Sequence, residues 1–491
     1  MTINSKNIGL ISGPLAFILV LFFFHPEGLN PRANAILAST IWIAIWWVTE
    51  AIPIAVTALL PIVLFPITGG LELSDTTASF GHKYVFLYVG GFILAIAIEK
   101  WNLHKRIALN IINLIGTNVV NLILGFMVAT AFMSMWISNT ATTVMMLPIG
   151  MAIVALLKDN PDTIENENLI FGKALMLAIA YSATIGGMST LIGTPPNLVL
   201  AGVVEETFGY EITFAQWFKF GFPISLVLLF VGWKYLTSFA FKFKQKQFPS
   251  GKAEISKQLK ELGQIGYEEK LVAAVFVFTA LAWISRSYLL KPIIPAIDDT
   301  IIGLISALII FILPTKNKKR RLINWEEAVK LPWGILLLFG GGMALAAGFK
   351  ESGLALWIGS QMTLLDGVSL FLLVFILITC VNFLTEITSN LATTAMLLPI
   401  LYPMAETISV HPFVLMVAAT VAASCAFMLP VATPPNAVVF GSGYLRIPDM
   451  IKTGIWMNIL SIILLTLFVY FLLPFLWDFD PLVFEFITSL G

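Results

Sequence analysis

Charge is scarce in this chain. Only 11% of its 491 residues are Asp, Glu, Lys or Arg, where soluble domains carry roughly 25%. That scarcity excludes an ordinary soluble enzyme. Acidic and basic residues also cancel to a formal net charge of zero, which implies no nucleic acid or other global electrostatic partner. The two cysteines, Cys380 and Cys425, lie in apolar segments and read as small core residues, so no disulfide framework is expected. The four histidines, His25, His82, His104 and His411, sit at the edges of apolar runs and form no metal-ligand spacing. No H-E-x-x-H motif and no aspartate-rich pair occurs, so an intramembrane enzyme lacks its machinery. No G-x-x-x-x-G-K-S/T loop occurs either, which excludes an evident ATP-driven motor, and no cofactor is expected.

Apolar sequence is abundant instead. Hydrophobic residues make up 58% of the chain and the mean hydropathy is +0.92. Many runs reach the roughly 20 residues that cross a bilayer as a helix. The pattern predicts an all-α polytopic membrane protein with about 11 transmembrane helices, at 8–25, 33–48, 52–68, 83–100, 172–203, 214–240, 269–290, 299–314, 331–349, 411–440 and 453–477. The first run, Ile8 to Phe24, is followed by His25-Pro-Glu-Gly rather than a small-residue cleavage site, so it reads as an uncleaved span. Two further apolar stretches, 116–156 and 366–406, are too long for one crossing and carry polar residues near their middles. They read as re-entrant helical hairpins, whose tips are tolerable only where protein or water covers the free backbone groups.

Those polar residues form an internal repeat. Ser138-Asn-Thr-Ala-Thr-Thr-Val-Met-Met-Leu-Pro-Ile149 returns 251 positions later as Ser389-Asn-Leu-Ala-Thr-Thr-Ala-Met-Leu-Leu-Pro-Ile400, with nine of twelve residues identical. Gly90-Gly91-Phe92 and Gly341-Gly342-Met343 share that offset. A second motif pair, Gly193-Thr-Pro-Pro-Asn197 and Ala432-Thr-Pro-Pro-Asn436, is offset by 239, so the second unit is twelve residues shorter between its motifs. The acidic stretch Asp159 to Glu167 is the expected location of the difference.

Charge placement sets the orientation. The basic loops around Lys242–Lys260 and Lys316–Arg321 are two spans apart, so they share a side, and the positive-inside rule makes it cytoplasmic. The expected N-terminus is then cytoplasmic and the C-terminus extracellular, in a multi-pass protein of a bacterial cell (inner) membrane. The first hairpin would open from the cytoplasmic side and the second from outside. The units therefore form an inverted-topology repeat, the arrangement that places a binding site at midplane. Segment 241–268 contains Ile255, Leu259 and Leu262 at helical spacing with lysines opposite, the pattern of an amphipathic helix on the membrane surface.

The repeated motifs suit an anion. A helix that resumes at membrane depth presents N–H donors with a partial positive charge. Ser138, Asn139, Thr140, Ser389 and Asn390 stand where return helices begin, and Ser and Asn are good N-cap residues. Two consecutive prolines break the crossing helix after Thr194 and Thr433, freeing carbonyls on one side and donors on the other. No Lys, Arg or His lies within the four motifs. Thr142, Thr143, Thr393 and Thr394 read as helix-packing residues. Glu50 and Glu386 read as partners of a lysine or of backbone donors.

These paired Ser-Asn-Thr and Thr-Pro-Pro motifs resemble the divalent anion:sodium symporter (DASS) family of di- and tricarboxylate carriers, and the resemblance covers most of the chain. It implies a homodimer in membrane lipid, with a scaffold and a transport domain that moves like an elevator. On this pattern 1–112 and 213–365 (including the cytoplasmic segment 241–268) would be scaffold, and 113–212 and 366–491 transport. The resemblance places substrate against Ser138, Asn139, Thr140, Thr194 and Pro195 from one repeat, and Ser389, Asn390, Leu391, Thr433 and Pro434 from the other. In sodium-coupled members one Na+ site would map to Ser134, Ser138, Asn139 and the Gly193 carbonyl, the other to Thr385, Thr388, Asn390 and the Ala432 carbonyl. One residue departs from the pattern: Leu391 stands where the second Ser-Asn-Thr has its threonine. Losing that hydroxyl, worth roughly 0.5–1.5 kcal/mol as a hydrogen bond, favours exchange of C4–C5 dicarboxylates (malate, succinate, 2-oxoglutarate). Na+-coupled di/tricarboxylate symport is the alternative, and an anion channel is less favoured.

Overall fold

Inside hydrocarbon a chain must satisfy its backbone hydrogen bonds internally, and a helix does so within one segment. The computed structural model describes residues 5–116, 118–156, 167–243, 249–361 and 367–483. Among them the structure is predominantly helical, with an antiparallel bridge between Pro314 and Arg321. Eight helices among the described residues are long and apolar enough to cross a membrane, five shorter helices are apolar, and Pro31–Thr49 supplies the helix at the expected 33–48 crossing. Every expected crossing has its helix, and the 52–68 segment is divided into Ile54–Thr57 and Leu60–Thr68 with Pro61 in the first turn of the second piece. Helix starts follow local chemistry: the side chains of Asn30, Asn118, Thr213, Asp298 and Ser369 each accept a hydrogen bond from a first-turn backbone N–H. The two cysteines are free. His82 and His411 cap the helices that follow them, accepting from Tyr84 N and Phe413 N.

Both long apolar stretches are hairpins. Hairpin 1 comprises Val119–Ser134 and Asn139–Leu156, and hairpin 2 comprises Leu370–Thr385 and Asn390–Thr407. Each is followed by a broken helix: Glu167–Met188 with Pro195–Phe208, then Pro412–Ala423 with Pro434–Phe440. The second repeat is shorter in the helix as well as the loop, since the arms before the breaks have 22 and 12 residues. The acidic stretch is therefore not the whole source of the difference; its residues 159–166 lie outside the described ones.

Two helices precede the hairpins that hydropathy alone did not mark, Leu103–Ile115 and Leu354–Gln361. The first buries Leu103, Ala108, Leu109 and Ile112 on one face, while its lysine, arginine and asparagines dilute the apolar signal. The amphipathic segment is helical over Pro249–Glu261, but its apolar face meets protein rather than lipid. Ile255 is fully buried, and Leu259 and Leu262 pack against the same core. Arg106, on the Leu103–Ile115 helix, closes the junction by donating to the carbonyls of Leu262 and Gly263 and pairing with Glu269.

At the face opposite the N-terminus, helix ends are tied by ion pairs. Lys83 Nζ lies 2.7 Å from Glu205 and 3.8 Å from Asp298. Arg286 lies 2.7 Å from Glu211 and 3.3 Å from Asp299, whose other oxygen accepts from Phe214 N at 2.7 Å. Arg286 and Asp299 are both buried. Removing one member of such a pair strands the other charge, at a cost of about 3–5 kcal/mol. Arg286→Met is expected to lower the melting temperature of the detergent-solubilised protein clearly, whereas the same change at exposed Lys257 should leave it unmoved.

Candidate functional site

Each hairpin tip is locked by one oxygen cluster. In the first repeat Ser134 Oγ lies 2.5 Å from Asn139 Oδ1 and 2.7 Å from the Ala183 carbonyl. In the second, Thr385 Oγ1 lies 2.7 Å from Asn390 Oδ1 and 2.9 Å from the Ala423 carbonyl. A single hydroxyl proton faces two acceptors in each case, so each cluster keeps oxygen lone pairs to spare. Close approach makes the first cluster possible: a Cβ on Gly187 would meet Asn139 Oδ1 at 2.4 Å, and one on Gly186 the Ala131 carbonyl at 2.2 Å.

The breaks are held from within. Asn197 Nδ2 donates to the carbonyls of Thr190 at 2.7 Å and Met188 at 3.4 Å. Asn436 Nδ2 donates to those of Leu429 at 3.0 Å and Ala426 at 3.3 Å. The last residue of each Thr-Pro-Pro-Asn motif thus collects carbonyls of the segment that runs into the break. Thr194 and Thr433 are extended, with φ near −140° and −141°, as the following proline requires. Thr190 Oγ1 donates to the Met135 carbonyl at 2.6 Å and joins the first break to its tip.

Both tips and both breaks meet at one cavity of ≈ 730 Å³. It is lined by all ten expected substrate residues: Ser138, Asn139, Thr140, Thr194, Pro195, Ser389, Asn390, Leu391, Thr433 and Pro434. Gly193, Thr388 and Ala432 line it as well, while Ser134 and Thr385 lie buried behind the tips. Four helix N-termini converge here. Among the described residues, the side chains of Thr140, Thr194 and Ser389 and the amide nitrogens of Asn139 and Asn390 make no hydrogen bond, so these donors are available to a ligand. Lys6 and Glu50, 4.0 Å apart, also line the cavity, at its N-terminal end. The remaining wall is one the motifs did not reveal: Tyr88, Phe92, Ile335 and Leu338. Their signal was the repeated Gly-Gly pair, which lets Gly91 and Gly342 face Ile192 and Ala395.

The four expected packing threonines are buried. Thr143 and Thr394 bond back to the carbonyls of Asn139 and Asn390, and Thr393 bonds Thr388. The mismatch in the repeat is visible in the walls: Thr140 is exposed to the cavity, whereas Leu391 is 5% exposed.

Residues 5–477 match the family described as "Sodium:sulfate symporter transmembrane region". The chain belongs to this family. It is a membrane transporter and not an enzyme, as the motifs of the divalent anion:sodium symporter group imply. Its relatives include the "Sodium-dependent dicarboxylate transporter SdcS" of Staphylococcus saprophyticus, 49% identical over 95% of this chain and 91% of that one. The protein of the same name from Staphylococcus aureus strain USA300 is 50% identical over 96% and 92%. Two solved transporters share the fold alone. MtrF of Neisseria gonorrhoeae has a TM-score of 0.59 at 14% identity, over 96% of both chains. YdaH of Alcanivorax borkumensis has a TM-score of 0.57 at 12% identity, over 98% of both.

Within this family member the repeats differ behind the site. Glu386 is buried and accepts from the backbone N–H groups of Phe427, Met428 and Leu429 and from Asn458 Nδ2, all at 2.7–3.2 Å. It caps the second break, as a carboxylate near backbone donors should. The 251-residue offset puts Met135 at the corresponding place, where the backbone carbonyl bonds Thr190 instead. Hydrogen bonds to a buried charge are worth about 1.5–3 kcal/mol each. Glu386→Gln, which sets an NH2 against those donors, is expected to lower thermal stability by at least one such increment in a detergent melt.

Positioning of the tips yields a second expectation. Gly187→Ala must displace the Asn139 side chain, and an error of about 1 Å at a reacting or binding group can cost about 100-fold in rate. Transport by Gly187→Ala, Asn139→Ala and Asn390→Ala in vesicles should fall to background, with unchanged elution on gel filtration. Wild-type rates in the two asparagine variants would remove these residues from the site.

Proposed function

We propose that this chain is a sodium-coupled symporter of C4–C5 dicarboxylates such as succinate, malate and 2-oxoglutarate. The observation that carries the reading is the duplicated cluster Ser134–Asn139–Ala183 and Thr385–Asn390–Ala423. Each offers neutral oxygens, hard ligands of the kind that suit a small cation. Each also fixes an asparagine whose amide donors are free toward the cavity. Na+ held by Ser134, Ser138, Asn139 and the Gly193 carbonyl, and by Thr385, Thr388, Asn390 and the Ala432 carbonyl, would set both asparagines for the carboxylates. It would also offset the dianion's charge, since the four motifs contain no basic side chain. Cation and anion then stabilise each other's binding, which is coupling.

Exchange, favoured by the sequence on the strength of Leu391, is set aside. Leu391 is only 5% exposed at the cavity wall, and the leucine there leaves both oxygen clusters intact. The names of the relatives, sodium-dependent dicarboxylate transporters, support the same choice.

The proposed movement is an elevator displacement of hairpins and broken helices against the remaining helices, in a homodimer of the bacterial cell membrane with its N-terminus cytoplasmic. The Phe214–Ala240 helix is best grouped with the moving part. Trp217 Nε1 bonds the Met188 carbonyl at 3.0 Å, Trp233 Nε1 that of Val120 at 3.1 Å, and Trp477 Nε1 that of Gln216 at 3.0 Å. The transport unit would then run from 113 to 240 and from 366 to 491. With a cytoplasmic N-terminus, the presence of Ser5, Lys6 and Glu50 in the cavity lining would make this an inward-facing conformation.

Uptake of labelled succinate into empty proteoliposomes tests the coupling. Symport predicts accumulation driven by an inward Na+ gradient, with sigmoidal dependence on Na+. Uptake that needs internal dicarboxylate and ignores Na+ would establish exchange instead, and steady single-channel current would establish a pore.

A further inference from the structure

A second cavity, of ≈ 750 Å³, lies away from the transport site, between the Phe214–Ala240 helix and the Ile447–Trp477 helix. Its chemistry is divided. The wall toward the bilayer core carries Phe230, Trp456 and Leu460, of which Phe230 and Trp456 are each 56% exposed. The end nearest the loops carries three lysines, Lys173, Lys234 and Lys452, against a single acid, Asp449. That acid is already committed, since Lys173 Nζ lies 2.8 Å from Asp449 Oδ1. Among the described residues neither Lys234 nor Lys452 has a carboxylate within 4.0 Å. Both are exposed. Lys234 is held in place by aromatic rings instead, with its ammonium 4.2 Å from the Trp233 ring centroid and 5.9 Å from that of Phe230.

The local backbone builds this groove. The last turn of the Phe214–Ala240 helix, Tyr235–Ala240, is a π-turn, a widening often found at functional sites. The Tyr235 hydroxyl donates to the Thr453 carbonyl at 3.0 Å and pins the two helices at the groove floor. Phe239, 77% exposed, projects beside it. An apolar slot that ends in two unneutralised ammonium groups at the edge of a span matches an amphiphile with acyl chains and an anionic head. A soluble anion would leave the aromatic wall in contact with nothing it could use, and a zwitterionic lipid would bring a cation to the lysines.

We propose that this groove is a binding site for one anionic phospholipid of the leaflet on the N-terminal side. Its phosphate sits between Lys234 and Lys452, and its chains run along Phe230, Trp456 and Leu460. The helices that form the groove are ones grouped above with the moving unit, so the bound lipid would travel with that unit.

The full-length protein in detergent, titrated with phosphatidylglycerol or phosphatidylcholine of the same chains and read by native mass spectrometry, tests this. One phosphatidylglycerol per chain should bind preferentially, and inorganic phosphate at millimolar concentration should not displace it. Each lysine near an anionic lipid surface contributes roughly a fivefold factor, so Lys234→Gln with Lys452→Gln should weaken phosphatidylglycerol binding about 30-fold and leave phosphatidylcholine unchanged. Trp456→Ala should weaken both lipids. Equal retention of the two lipids by the wild type, or unchanged affinity in the double variant, would overturn the proposal. Displacement by free phosphate would show that the head group alone is the ligand and would overturn it equally. Should the double variant elute as aggregate, Lys234→Gln alone must still lose about fivefold in phosphatidylglycerol binding.

Discussion

A polypeptide that stops being helical at membrane depth frees amides and carbonyls, and each one left without a partner costs several kcal/mol. Among the described residues the hairpin tips and broken helices make four such interruptions around the cavity, and apart from Glu386 at the second break they are satisfied by neutral side chains. Asn197 and Asn436 gather carbonyls at the breaks, while Ser134 and Thr385 bond carbonyls behind the tips. The cavity exists because these repairs face away from it. What remains unsatisfied on the cavity side is a set of donors around one volume, and that is what an anion needs.

The two halves solve the same problem with different chemistry. Near Asn139, tight packing is supplied by Gly186 and Gly187, and the Met135 carbonyl receives a threonine. Near Asn390, Glu386 takes the three donors of the second break, and Asn458 supports the carboxylate. An inverted repeat therefore need not be a symmetric one. The second tip is tied through a charge and the first through backbone and hydroxyl groups, so the two responses to cation or substrate need not be equal.

Away from the site, polar groups mark surfaces where helices end. Lys83, Arg286, Glu205, Glu211, Asp298 and Asp299 join the ends of helices opposite the N-terminus. Near the N-terminal side, Arg106 and Glu269 hold the junction beside the Pro249–Glu261 helix. These contacts pair charge at or near the ends of the apolar spans, with Glu386 the buried exception inside hairpin 2, and so help a chain with 11% charged residues to specify one arrangement.

The architecture was legible because membrane folding writes itself in one dimension: a crossing needs a run of apolar residues, and a break needs prolines or caps. Hence the spans, both hairpins and all ten cavity residues of the motifs could be read from Ser138-Asn139, Ser389-Asn390 and the Thr-Pro-Pro pairs. Leu103–Ile115 escaped because its buried face is narrow and a lysine, an arginine and two asparagines dilute the apolar signal, and the Pro249–Glu261 helix was given to lipid because an apolar stripe does not say what covers it. Tyr88, Phe92, Ile335 and Leu338 were hidden for a related reason, since their place in the wall depends on which helix packs against which. The sequence by itself determined where the chain crosses, where it breaks and which donors the breaks release. Only the tertiary structure decided which carbonyl each hydroxyl meets, that Leu391 is largely covered at the cavity wall while Thr140 is exposed there, and where a lysine lacks an acid, because those depend on distances between segments far apart in the chain.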